Sequence, residues 1–171
     1  MASLRVEESS DIEPHIRRKN VPNPQDAYDE IISILIDDCN ISKSDINEEM
    51  YEHEKRGEVE VVHSKIEAVK KFDKFSKDVV KIEMDIEMKP VRGEEYDYVG
   101  DLEIEIEGKV RTDYPQDNAV QKSMLWHAFR TFYEKVLYGD IKKVYMKKCD
   151  KYMRQLRDGL KSYFDMLPTV S

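Results

Sequence analysis

Glycine, proline and cysteine are all scarce. Six glycines scattered through 171 residues leave neither a loop to cradle a phosphate nor a strand-to-helix elbow to present a nucleophile. The common nucleotide-binding and hydrolase signatures are therefore excluded. Two cysteines allow one disulfide at most, and Cys39 and Cys149 both fall in segments of helical spacing, which suits reduced thiols in a reducing compartment. Long apolar runs are missing too. The longest, Ile31 to Ile36, is far shorter than the ~20 residues of a membrane helix. Residues Met1 to Glu8 show no basic end followed by an apolar stretch and a small-residue cleavage site, so a cytoplasmic protein is expected. Basic charge is in deficit. With 28 Lys and Arg against 36 Asp and Glu, the formal net charge is −8, which argues against general adhesion to nucleic acid or anionic membrane. The four histidines, His15, His53, His63 and His127, stand far apart in the chain and from both cysteines. None sits at a zinc-site spacing, and neither metal nor cofactor is expected.

What the chain has in abundance is alternation. From Val79 to Tyr114, Val80, Ile82, Met84, Ile86 and Met88, and then Leu102, Ile104, Ile106 and Val110, place an apolar side chain at every second position. Charged residues fill most places between. Period-two patterning marks strands buried on one face and wet on the other, hence a one-sided antiparallel sheet. Val62, Ser64, Ile66, Ala68 and Phe72 repeat it with His63, Lys65, Glu67 and Lys71 facing out. With Lys74 at the turn centre, Glu67 pairs with Lys81, Lys65 with Glu83, and Ile66 with Ile82. Gly100 and Gly108 fall on the inner face, where glycine marks a bend, a close approach, or room for a ligand.

Helical spacing brackets this sheet. Asn23 and Pro24 suit a helix start, and Tyr28, Ile31, Ile32, Leu35, Ile36 and Cys39 give one apolar face ending at Asn40. Ser44, Ile46, Met50 and His53 predict a second, shorter helix ending at Gly57. Residues 118–138 predict a third, with Leu125, Trp126, Phe129, Phe132 and Tyr133 on a broad apolar surface. Gly139 and Asp140 then separate it from a long last helix, Ile141 to Pro168. The expected architecture is a single α+β domain over residues 23–171, preceded by a mostly flexible segment, residues 1–22, in which Leu4 and Val6 could add an edge strand. Its core is an antiparallel meander of three or four strands covered on one face by helices, in the order (β)-α-α-β-β-β-α-α.

Three features bear on function. Glu83, Asp85 and Glu87 stand beside Asp101, Glu103 and Glu105 in any register that aligns the apolar residues. Such a face offers carboxylate oxygens to a hard cation or a basic partner, although a solvated acidic surface is the plainer reading. The inner surface has methionines and aromatics around the glycines, and Met84, Gly100, Gly108, Trp126 and Phe129 could line a pocket for a small apolar ligand. The last helix has an apolar stripe, Tyr145, Cys149, Tyr152, Leu156, Leu160, Tyr163 and Leu167, beside many lysines and arginines. A partner or self-association surface is expected at Lys148, Tyr152, Arg154, Leu156 and Tyr163. These features predict a non-catalytic protein–protein interaction module, homodimeric through its C-terminal helix. The alternative is a carrier of an apolar ligand or lipid, and an enzyme using the carboxylate face comes third. Neither specific nucleic acid binding nor a membrane span is expected.

Overall fold

The computed structural model describes residues 3–115, 127–128, 131–132, 135 and 138–168. Six strands form one antiparallel sheet: β1 (Ser3–Ser9), β2 (His15–Pro22), β3 (Ile46–Arg56), β4 (Val59–Lys71), β5 (Ser76–Pro90) and β6 (Tyr98–Pro115). Their order is β1-β6-β5-β4-β3, with β2 also on β6. The 18-residue β6 therefore has β5 along one edge and β2 and β1 in succession along the other. A short helix, α1 (Ala27–Ser33), continues into one wider turn at Ile34–Asp38. A long helix, α2 (Tyr138–Met166), follows the sheet. None of the described helices is long and apolar enough to cross a membrane.

The three- or four-strand meander with paired helices is thus corrected to a strand-dominated fold. The segment before Pro22, read from its sequence as a flexible lead-in, supplies β1 and β2. The helix expected after Ser44 is β3. Ile46 and Met50, four residues apart, imitate a helical stripe there. The strand lies at the sheet edge with nearly every side chain exposed, so no buried face imposes alternation on it. Gly57, with φ +65°, turns β3 tightly into β4. Gly139 and Asp140 do not interrupt α2. Most of the third expected helix, including Trp126 and Phe129, lies outside the described residues.

Within the meander the expected register holds, with Glu67 opposite Lys81, Lys65 opposite Glu83, and Ile66 opposite Ile82. Ile82, Ile104 and Ile106 are buried together with Val62, Met84, Ile86 and Leu102. α1 and α2 close that inner face, with Ile31, Leu35, Cys39, Met153, Leu156, Leu160 and Phe164 in the same core. Gly108 lies directly beneath α2. A Cβ there would lie 2.9 Å from both Cys149 Sγ and Met153 Sδ. At Gly100 a Cβ would lie 2.6 Å from Met88 Cα. Both inward glycines are therefore sites of close approach rather than gaps. Asn23 serves a purpose other than a helix cap: its Oδ1 accepts the N–H groups of Asp97 and Tyr98 at 3.0 and 3.1 Å, tying the end of β2 to the start of β6.

One buried side chain among the described residues is ionisable as a carboxylate. Asp78, on the inner face of β5, is fully enclosed, and neither of its oxygens has a hydrogen-bond partner. The donors that face it, the Cys149 thiol and the Val79 N–H, fall short of good geometry. Burial pushes its pKa up to about 7, the neighbouring thiol holding the rise back and Asp150 adding to it. Burial likewise raises both thiols, Cys39 to about 12, so neither is a ready thiolate.

Candidate functional site

Because α1 and α2 both pack on the inner face, neither helix covers the outer face, where Lys81, Glu83, Asp85 and Glu87 are at least partly exposed and Val79 at one end is buried. The alternation that buries isoleucine on one side sends charged side chains to the other. Cross-strand register then arranges them in rows. One row reads His15, Glu105, Glu83, Lys65 across β2, β6, β5 and β4, and the next reads Arg17, Glu103, Asp85, His63. Four carboxylates from two neighbouring strands thus occupy the centre as two directly opposed like-charged pairs, and Asp101 opposite Glu87 makes a third pair in the row beyond. Such pairing costs stability unless something compensates. The adjacent row, Glu107, Lys81, Glu67, alternates in sign and has no such problem.

Compensation comes from the flanks. Arg17 donates to Glu103 through Nε at 2.9 Å, and its other guanidinium nitrogen is 2.8 Å from the same oxygen. His15 Nε2 lies 2.5 Å from that oxygen and 3.7 Å from Glu105 Oε1. These contacts, that of His15 before that of Arg17, hold the Glu103 carboxyl below the ordinary glutamate value. On the other flank, His63 meets Asp85 through Nδ1 and lies 3.3 Å from Glu83 through Nε2, while Lys65 is 3.5 Å from Glu83. Two sets of one histidine and two carboxylates result, His15 with Glu103 and Glu105, and His63 with Glu83 and Asp85. Within each, the possible ligand atoms all lie within 4.8 Å of one another. A cavity of about 530 Å³ opens on this face, walled by Glu13, His15, Glu49, Lys65, Glu83 and Glu105. It is open to solvent and lined by charge, with no arrangement that would give one carboxylate the environment of an acid and another that of a base.

The residues singled out in the sequence are distributed differently. Met84 is in the core and also touches a second cavity of about 300 Å³ on the inner side, shared with Tyr28, Tyr51, Val62 and Ile86. Gly100 and Gly108 do not reach it, and Trp126 and Phe129 lie outside the described residues. On α2, Leu156 is fully buried against the sheet, and Tyr152 and Tyr163 are half-buried. Arg154 is exposed. Lys148 is exposed above the stacked rings of Phe72 and Tyr145, 5.5 and 5.8 Å from their centres. Among the described side chains of this helix, Ile141, Val144 and Met166 are the exposed large hydrophobics, and Met146, Tyr152 and Tyr163 are partly exposed.

The histidines are what sequence reasoning passed over. His63 could have been placed, because the register that sets Lys65 against Glu83 sets His63 against Asp85. His15 could not, since nothing in the residues around it announces a strand. What the described residues define is an antiparallel six-stranded sheet with two helices packed on one side and a charged face on the other. No family model matches the chain, and no curated protein matches it. Among solved structures, an uncharacterised protein from Rhizobium leguminosarum aligns over 93% of this chain and 99% of its own, at 9% identity and a TM-score of 0.18. A likeness so slight carries no argument about fold or function.

Proposed function

We propose that the protein is a non-catalytic binding module that receives a basic protein segment on the outer face of its sheet. The observation that carries this reading is the cavity of about 530 Å³ lined by Glu83 and Glu105, with the opposed pair Asp85 and Glu103 in a neighbouring cavity of about 390 Å³, on a face left free by both described helices. Arg17 and Lys65 answer two of the four charges, which leaves room for a partner's lysine or arginine among them. The net charge of −8 adds a long-range attraction for the same kind of partner. Compared with the expectation from sequence, the module is retained and its surface moves. Leu156 lies in the core, so α2 has less apolar area to offer a second copy.

The test is titration of a fluorescent peptide of alternating lysine and threonine, followed by anisotropy. Saturable binding that weakens with salt and again in the Glu83→Gln, Glu105→Gln double variant is the expected result. Equal binding to that variant, or none at low salt, overturns the proposal. A carrier of a small apolar ligand is the second reading, favoured by the cavity at Tyr28, Tyr51, Val62, Met84 and Ile86, whose volume is at the lower end for ligand sites.

A further inference from the structure

We infer that the two histidine–carboxylate sets on the outer face are a paired site for a borderline divalent metal such as zinc, one ion at His15, Glu103 and Glu105 and the other at His63, Glu83 and Asp85. This goes beyond a basic docking face, which needs carboxylates but has no use for imidazole. The argument starts from the rows. Lysine or arginine at both flanking positions of each row would cancel the opposed carboxylates as Lys81 does one row away, between Glu107 and Glu67. Each of the two central rows has one such cation, Lys65 or Arg17, and a histidine at the other flank, with Glu52 of β3 opposite His63 beyond it. Only when protonated does a histidine cancel charge. When neutral it offers a nitrogen lone pair.

In both sets ring nitrogens stand beside two carboxylates, donating N–H as the side chains lie, so that an ion bound there would take the place of a ring proton. His15 Nε2 addresses Glu103 at 2.5 Å and Glu105 at 3.7 Å. His63 is in contact with Asp85 and 3.3 Å from Glu83. An ion bonded at about 2.0–2.2 Å holds neighbouring ligand atoms roughly 3 to 3.6 Å apart. The side chains reach that spacing by rotation alone, because all six are partly exposed and stand on paired strands that fix their bases. One nitrogen and two carboxylate oxygens form a set that suits zinc or manganese better than magnesium or calcium, which favour oxygen alone. Three protein ligands leave a coordination position for water or for a partner's side chain, and the cavity beside His15, Glu83 and Glu105 gives access to it. Two divalent ions would also neutralise the four carboxylates that the register forces together.

Isothermal titration of the tag-free full chain with zinc at neutral pH tests this. Two ions per chain are expected, with one lost in His15→Gln, the other in His63→Gln, and affinity falling on the order of tenfold or more at each altered set. Magnesium and calcium should bind at least about tenfold more weakly than zinc. Cys39→Ser and Cys149→Ser should leave the zinc isotherm unchanged, since both thiols are enclosed. Absence of saturable heat refutes the site, as does undiminished uptake in the His15→Gln, His63→Gln double variant. A single ion sensitive to both histidines refutes two separate sets. Should the double variant fail to fold, ring-proton NMR of the unaltered chain decides, because both histidines must shift as zinc is added. Basic-peptide binding that survives in the double variant while zinc uptake is lost separates this inference from the docking proposal, and competition between zinc and peptide joins them.

Discussion

Replacing Asp78 with asparagine should remove one large pH-dependent contribution to stability. The aspartate is fully enclosed between β5 and α2 and has no hydrogen-bond partner for either oxygen. The groups facing it are Cys149, Asp150 and Tyr152 of α2 and Cys39 after the wide turn, while Lys70, opposite it on β4, gives its ammonium to the Asn40 carbonyl. Burial lifts its pKa from 3.8 to about 7. Protons are then held more tightly by the folded chain than by the unfolded one, so this group's contribution is fully present below the unfolded value. It is lost as pH rises toward about 7, above which the loss is complete. Roughly three pKa units at 1.36 kcal/mol each set a ceiling of about 4 kcal/mol, and water entering around an ionised Asp78 would reduce it. Urea unfolding between about pH 4 and pH 8 measures the effect. The asparagine amide also lacks partners, but its cost is the same at every pH. The gap between the two proteins should therefore widen in favour of Asp78→Asn as pH rises, by at least about 2 kcal/mol. Parallel curves would refute the reasoning and show that a solvent path reaches the carboxylate.

Four further outcomes are expected. Ile104→Ala should cost roughly 2–5 kcal/mol, while Glu105→Ala on the opposite face stays within about half a kcal/mol, both read from urea midpoints. Gly108→Ala should destabilise by about 1–3 kcal/mol, because its methyl group meets the sulfur atoms of Cys149 and Met153, which must give way. A thermal melt unchanged from the parent would refute that close approach. Cys149→Ser puts a stronger donor against Asp78, so the pH at which stability is lost should fall in the same urea series. Leu156→Asp should abolish cooperative unfolding, since a lone carboxylate cannot be buried there, whereas Arg154→Asp leaves the melt within about half a kcal/mol.

Wherever one face of an element is buried, its sequence shows it. β4, β5 and β6 alternate because the core lies on one side of them, and a turn centred on Lys74 with the charge pairs Glu67–Lys81 and Lys65–Glu83 pointed to the register observed. The long helix was equally legible, since Cys149, Leu156 and Leu160 recur at helical spacing and all three are buried. β3 was hidden by its edge position, with water on both faces. β2 was hidden by a break in its own alternation, where Asn20 adopts φ +52° and the register shifts between Arg18 and Val21. That second gap concealed half of the candidate site as well, because His15 takes its place among the carboxylates only through pairing with β6. The acidic rows could be read along two strands. The flanking histidines required knowing a third and a fourth.

The double use of β6 has a consequence for the order of events during synthesis. Arg5 meets Asp113 across a separation of 108 positions, and His15 meets Glu103 across 88. An emerging chain can close β3, β4 and β5 into successive hairpins, but β1 and β2 have nothing to join until β6 has left the ribosome. Closing such long loops adds little to the equilibrium cost, yet it slows the search. Until it is complete, the free edge of β6 presents unpaired backbone groups that another nascent copy could fill. Truncation of the first 22 residues should therefore show itself first in aggregation during refolding.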